Sequence, residues 1–196
     1  MFAEGCAIEL ITDVLLLREL REDDFEAVHA YTSNPDNVKY VTWGPYDKQG
    51  TKSFIEKCLE RQNASPRTSY DLAITLKETG QLIGSCGVHL NDEMRQAVMG
   101  WILHIDYWMK GYMTEALKAL LKFGFEDLKL HRMYAWCNTE NYSTYRVMEK
   151  CGMRREATFL ESRHGRPEID KEWIDEHMYA LLAEEWQITA MISQLQ

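Results

Sequence analysis

The run AVMGWILHI–DYWMKGYM–TEALKALLKFGF, residues 97–125, decides how this chain folds. Its first part, Ala97–Ile105, is apolar and reads as a strand. From Met113 the apolar residues recur at Ala116, Leu117, Leu120, Leu121 and Phe125, the spacing of a helix with one buried stripe. Between them is a tight turn containing Gly111. Strand, turn and helix start together suit an anion, because first-turn N–H groups lack intrahelical partners and the helix dipole adds partial positive charge. Gly111 can take the backbone angles such a turn needs, Lys110 adds a full charge, and Thr114 adds a hydroxyl or a cap. The same residues also fit a plain strand–helix junction, with Thr114 as cap and Glu115 complementing the dipole. They are not a P-loop, since the glycine spacing and the Lys-Ser/Thr pair are missing.

Outward from this run the pattern continues in both directions. Upstream, Tyr70–Leu76 and Leu82–Leu90 are strand candidates joined by the hairpin turn Glu78-Thr79-Gly80-Gln81. Before them, Val14–Leu20 reads as a strand. A helix burying Phe25, Val28 and Tyr31 follows, with Asp23 or Asp24 as its cap. Thr51–Arg61 carries the helical stripe Phe54, Ile55, Cys58, Leu59. Downstream come a strand at Met133–Cys137, a short helix at Ser143–Cys151 closed by Gly152, and strands at Arg154–Leu160 and Trp173–Leu182. The tail after Ala183 is a further helix candidate. This order, β-α-α-β-β-β-α-β-α-β-β, predicts an α+β (mixed α/β) fold with about seven strands and about four flanking helices. The sheet is antiparallel at first, with a parallel pair in the middle. No linker or repeat divides residues 1–196, which read as one domain.

A formal net charge of −9 disfavours nucleic acid as a partner and mildly favours a cationic substrate. The five cysteines show no CxxC pair, so neither a disulfide framework nor a metal site is expected. Residues 1–13 lack the pattern of a signal peptide, and no apolar run approaches the roughly 20 residues that span a bilayer. A cytoplasmic protein without a membrane partner is the expectation, as a monomer or as a homodimer paired through the C-terminal strands or tail.

Several segments together carry a family resemblance. They are Gly100–Leu103, Tyr107–Ala116, Leu130–Met133, and Asn141 followed by Arg146–Met153. The opening Leu15–Leu20 and the closing Asp175…Met178–Leu182 belong with them. In this order they resemble the GNAT acetyltransferases, and more closely the RimJ/RimL-type branch that acetylates N-terminal amines. The resemblance implies a GNAT fold in which the central parallel strands splay apart. It implies acetyl-CoA as acetyl donor, its pantetheine arm along Trp101, Ile102 and Leu103. Its pyrophosphate would lie on the amides of Met109, Lys110, Gly111, Tyr112, Met113 and Thr114. Three residues depart from the pattern: Trp108 replaces the usual Gln or Arg, and Met109 and Met113 stand where small residues are common.

For chemistry, the resemblance puts Asn141 on the cofactor arm and Thr144 near the sulfur; Asn141, Ser143 or Thr144 equally reads as a cap for the following helix. The tyrosine acid of many family members is replaced by Met148. Candidate bases are Glu161, after the strand Arg154–Leu160, and His89; the alternatives are a solvated edge carboxylate and a structural histidine. His104, on the strand before the turn, is a further candidate to approach the thioester. The acidic run Glu161, Glu168, Asp170, Glu172, Asp175, Glu176 is either an attractor for a cationic substrate or a solvated face. Tyr40, Trp43 and Tyr46 are candidates for the acceptor pocket, or for packing. The implied activity is direct transfer of acetyl to a primary amine, first a protein N-terminal α-amine of ribosomal-protein type. The alternatives are a small amine (polyamine, aminoglycoside-like antibiotic or amino acid) and a catalytically lapsed acyl-CoA-binding module.

Overall fold

A computed structural model describes residues 7–91 and 93–194, with side chains through residue 188. Its centre is one sheet of eight strands in the order β1-β2-β3-β4-β5-β6-β8-β7. These are β1 Glu9–Ile11, β2 Leu15–Glu19, β3 Ser69–Leu76, β4 Leu82–Leu90, β5 Gln96–Leu103, β6 Arg132–Asn138, β7 Arg154–His164 and β8 Trp173–Leu182. The eighth strand, relative to expectation, is β1; its three residues pair with Leu16–Arg18. It is too short to leave a pattern in sequence. Five α-helices flank the sheet: α1 Phe25–Thr32, α2 Lys48–Gln62, α3 Tyr112–Lys122, α4 Tyr142–Lys150 and α5 Ala183–Gln194. The fifth is the C-terminal tail.

Every strand pair is antiparallel except β5 and β6, which run parallel. That pairing lasts only from Gln96↔Arg132 through Val98↔Tyr134. Beyond it β5 keeps its antiparallel partner β4 as far as Leu103↔Gly84, while β6 keeps β8 as far as Asn138↔Glu176. The two central strands therefore part, and the β6-facing edge of β5 is without a strand partner from Met99 to Leu103.

Two apolar layers hold the sheet. On one face α3 and α4 bury Met113, Ala116, Leu117, Leu120, Leu121 and Met148 against Leu17, Ile74, Val88, Met133 and Tyr179. On the other, α1 and α2 bury Val28, Tyr31, Ile55 and Cys58 against Ala73, Leu82 and Ile102. Phe25 packs at the edge of this second layer, with Phe54 and Leu59. Neither Asp23 nor Asp24 caps α1 through its side chain; both lie in a 3-10 turn, Glu22–Asp24, that precedes it. Asp24 is instead engaged by the Arg18 guanidinium and the Arg21 N–H. Gly152, at φ +82°, ends α4 as the sequence predicts: Met153 N–H donates to the Met148 carbonyl and Gly152 N–H to that of Glu149.

Cys58, Cys86, Cys137 and Cys151 are buried free thiols, and Cys6 lies outside the described residues. Burial raises all four, to about 12 for Cys58, Cys137 and Cys151. Among the described residues no helix is long and apolar enough to cross a membrane.

Gly84 lies on β4 opposite Leu103, at the end of the splayed strand β5. A Cβ there would lie 2.2 Å from the Ile102 carbonyl oxygen, whereas one at Gly100 meets nothing within 4 Å. Gly84→Ala is expected to lower the unfolding free energy by about 2 kcal/mol or more in urea titrations, with Gly100→Ala within about 0.5 kcal/mol of wild type. Equal effects of the two substitutions would show that the close approach is not a constraint.

Candidate functional site

Where β5 and β6 part, a cleft of about 390 Å³ opens. Its floor is Trp101, Ile102 and Leu103 of β5. One side is Tyr107, Trp108, Met109 and Gly111, followed by Tyr112, Met113 and Thr114 at the start of α3. The other is Asn141 and the α4 residues Tyr142, Ser143, Thr144, Arg146, Val147 and Lys150. Asn37, Tyr40 and Val41, from the α1–α2 connection, complete it.

Each wall follows from local chemistry. Gly111 takes φ +87° and starts α3 with no side-chain cap. The amides of Tyr112, Met113 and Thr114 are first-turn donors without intrahelical acceptors, the arrangement that suits a pyrophosphate. Thr114 is inside the helix rather than capping it, and Glu115 is engaged by the Thr12 hydroxyl and the Val14 N–H. At α4 the Asn141 side chain does cap, accepting from Thr144 N–H at 3.2 Å. Its amide NH2 remains for a ligand. The end of β5 is pinned through Leu103, whose carbonyl accepts from the Trp108 indole N–H at 2.8 Å and from the Asn37 amide. Asn37 also accepts from Ile105 N–H at 3.1 Å.

The three departures from the family pattern have separate fates. Trp108 secures the strand end, and Met113 turns into the core. Met109 is 93% exposed and sits at φ +60°, a left-handed conformation that glycine adopts without strain.

Of the sequence-derived residues, Tyr40, Trp101–Leu103, Met109, Gly111–Thr114, Asn141 and Thr144 come together at the cleft. Lys110, next to Met109 and Gly111 in the turn, has its ammonium 5.3 Å from the Tyr107 ring centre. Trp43 stacks on Tyr46 at 5.1 Å and on Phe54 at 6.4 Å, an aromatic cluster against α2 rather than a cleft wall. His89 pairs with Val98, opposite the part of β5 that still holds β6, and so lies away from the splay. Its imidazole is 3.4 Å from Asp71, which also accepts from Arg61. Burial lowers the His89 pKa, with Asp71 opposing and Arg61 adding. Glu161 is exposed at a bulge of the edge strand β7, its N–H donating to Asp175. Neither of these candidate bases lines the cleft, nor does His104, which accepts from Asp106 N–H. Met148 is fully buried, and Tyr145 packs on Tyr179 and His177. In the acidic run, Asp170 pairs with Arg166 and Glu176 with Arg163, while Glu168 and Glu172 are exposed.

Sequence reasoning missed Asn37, Val41, Arg146 and Lys150. The signal for the last two was available: Ser143, Arg146, Val147 and Lys150 are spaced as one helix face.

Residues 14–154 match the family model described as an acetyltransferase (GNAT) domain. The chain is 36% identical over 181 residues to an uncharacterized N-acetyltransferase of Bacillus subtilis, YnaD, covering 91% of this chain and 99% of that one. A solved GNAT-family acetyltransferase from Bacillus anthracis superposes with a TM-score of 0.79 at 36% identity, over 90% and 99% of the two chains. Two more distant structures share the fold. One is RimL, a ribosomal L7/L12 α-N-protein acetyltransferase with coenzyme A (15% identity, TM-score 0.77, coverage 89% and 98%). The other is spermidine N-acetyltransferase of Vibrio cholerae with CoA and spermine (20%, 0.76, coverage 90% and 99%).

Met109→Gly removes no buried contact and relieves the left-handed strain, so it is expected to stabilise the fold by about 1 kcal/mol in thermal melts. A loss of stability would mean that the Met109 side chain contributes more than its exposure suggests. A second expectation concerns pH. Hydrogen bonds from Arg166 hold the Asp170 carboxyl at about 2, against 3.8 ordinarily. A folded value below the unfolded one gives stability that is complete above about pH 4 and is lost as pH falls towards 2. The stability gap between wild type and Asp170→Asn is therefore expected to narrow by about 2 kcal/mol from pH 6 to pH 2. A gap that does not change with pH would remove the pair from acid unfolding.

Proposed function

The chain belongs to the GNAT acetyltransferase family, and from that premise we propose that it transfers acetyl from acetyl-CoA directly to a neutral α-amine of a protein N-terminus. Acetyl-CoA fits the residues present: uncapped first-turn amides at Tyr112–Thr114, an unpartnered β5 edge, and the cations Arg146 and Lys150 on the α4 wall. When bound, it supplies the acetyl thioester. In this reading the backbone at Trp101–Leu103 orients the pantetheine arm and Asn141 holds it by its free NH2. Thr144, whose hydroxyl makes no hydrogen bond among the described residues, donates to the leaving sulfur.

The observation that carries the choice of acceptor is the composition of the cleft. Among the described residues its lining holds two cations and no carboxylate or imidazole. Such a lining offers neither a base for a high-pKa amine nor a counter-charge for a polycation. An α-amine, with a pKa of about 8, is roughly a quarter neutral near pH 7.5, whereas an alkyl ammonium at about 10.4 is about one part in a thousand neutral. The weaker base needs less help. The formal net charge of −9 favours the second reading, a small cationic amine, through long-range attraction.

Acetyl-CoA at a hundred times its Kd is expected to stabilise the fold by about 2.7 kcal/mol; no rise in melting temperature would sink both readings. In an amine panel followed by thiol release, short peptides with varied N-termini are expected to exceed spermine in kcat/KM. The opposite order assigns a small-amine acceptor, and no release with any amine favours a module without catalysis. Thr144→Ala is expected to lower kcat by about 10²-fold with acetyl-CoA binding retained, and full turnover would withdraw the role.

A further inference from the structure

The connection between β7 and β8, residues 165–172, is fastened to the α1–α2 segment by the Arg166 side chain. Arg166 is 10% exposed, and its five N–H donors all meet acceptors. Nε and Nη2 form a fork on the Asp170 carboxylate, at 2.8 and 2.7 Å. Nη2 also donates to the Lys39 carbonyl at 3.0 Å. Nη1 donates to the carbonyls of Val38 at 2.9 Å, Trp43 at 3.0 Å and Gly44 at 3.3 Å. Four carbonyls of one irregular segment thus converge on a single guanidinium. That segment carries Asn37, Tyr40 and Val41 into the cleft. It has no helix or strand of its own between α1 and α2 to fix its carbonyls.

The same connection reaches the opposite wall. Lys171 pairs with Glu140, next to the α4 cap Asn141, and Thr139 N–H donates to the Asp175 carbonyl at 3.0 Å. Residues 165–175 therefore tie the α1–α2 segment to the start of α4, the two sides between which an acceptor enters.

We propose that Arg166, held in register by Asp170, is a positioning residue that fixes the acceptor wall Asn37–Val41 and thereby sets selectivity for the amine. The inference rests on the acetyl-transfer reading for its kinetic consequence but not for its structural one. A lysine cannot replace the fork: it offers three donors from one point, where the guanidinium spreads five over a plane. Asparagine at position 170 removes the charge that balances the buried guanidinium while keeping its size.

Two measurements on the full chain test this, each with wild type, Arg166→Lys and Asp170→Asn. In hydrogen–deuterium exchange, amides of residues 38–46 are expected to exchange at least about tenfold faster in both variants, with those of α3 unchanged. Unchanged exchange in 38–46, or faster exchange throughout the chain, overturns the proposal. With acetyl-CoA saturating, and with spermine and a short peptide as acceptors, amine KM is expected to rise about tenfold while acetyl-CoA Kd stays within twofold. An unchanged amine KM, or a parallel loss of acetyl-CoA binding, also overturns it. If the wild type binds acetyl-CoA yet releases no thiol with either amine, the acetyl-transfer reading is what fails. The exchange comparison then decides whether Arg166 fixes the wall.

Discussion

The constraint on which the rest depends is that β5 and β6 stay paired for only three residues. Backbone N–H and C=O groups need partners wherever water is scarce, so a parallel pair that opens inside a sheet must be given other donors and acceptors. Leu103 shows how this is met at the protein's own expense: Trp108 and Asn37 both donate to its carbonyl. The remainder of that edge, between Met99 and Leu103, has no strand partner on the β6 side. Everything lining the cleft is organised about this opening, including the uncapped start of α3 on one side and the capped start of α4 on the other.

Much of this was legible in the chain itself. Hydrophobic period located β2 to β8 and α1 to α4, and Gly152 marked the end of α4. The Gly111 turn pointed to an anion site because its chemistry is local. What failed to read out was tertiary. Tyr40, Trp43 and Tyr46 are alike in sequence, but only Tyr40 reaches the cleft, because Trp43 stacks on both Tyr46 and Phe54 of α2. His89 stands near the end of a central strand, a common place for a catalytic histidine, yet strand register sets it beside Asp71 and away from the splay. Glu161 lies within a strand whose edge position no pattern reveals. Arg166 was equally hidden, since its four carbonyl partners come from a segment more than 120 residues earlier.

Trp108, Met109 and Met113 show that one departure from a family pattern can have several meanings. A bulky residue in a phosphate-binding turn would ordinarily suggest obstruction. Here Trp108 takes a structural hydrogen bond, and Met113 contributes to the hydrophobic layer under α3. Met109 alone sits in an unfavourable conformation, with its side chain directed to solvent. Backbone amides do the binding in such a turn, so side-chain identity is free to drift as long as the backbone path is kept.

The four buried thiols bear on the chemistry in a different way. Acetyl transfer from a thioester liberates a free thiol at every turnover, and thiols exchange with one another through their ionised forms. Cysteines held near 12 are ionised to only about one part in a hundred thousand at neutral pH. They are neither nucleophiles toward a disulfide of the released product nor competitors for the acetyl group. Burying them insulates the fold's own sulfur atoms from thiol exchange.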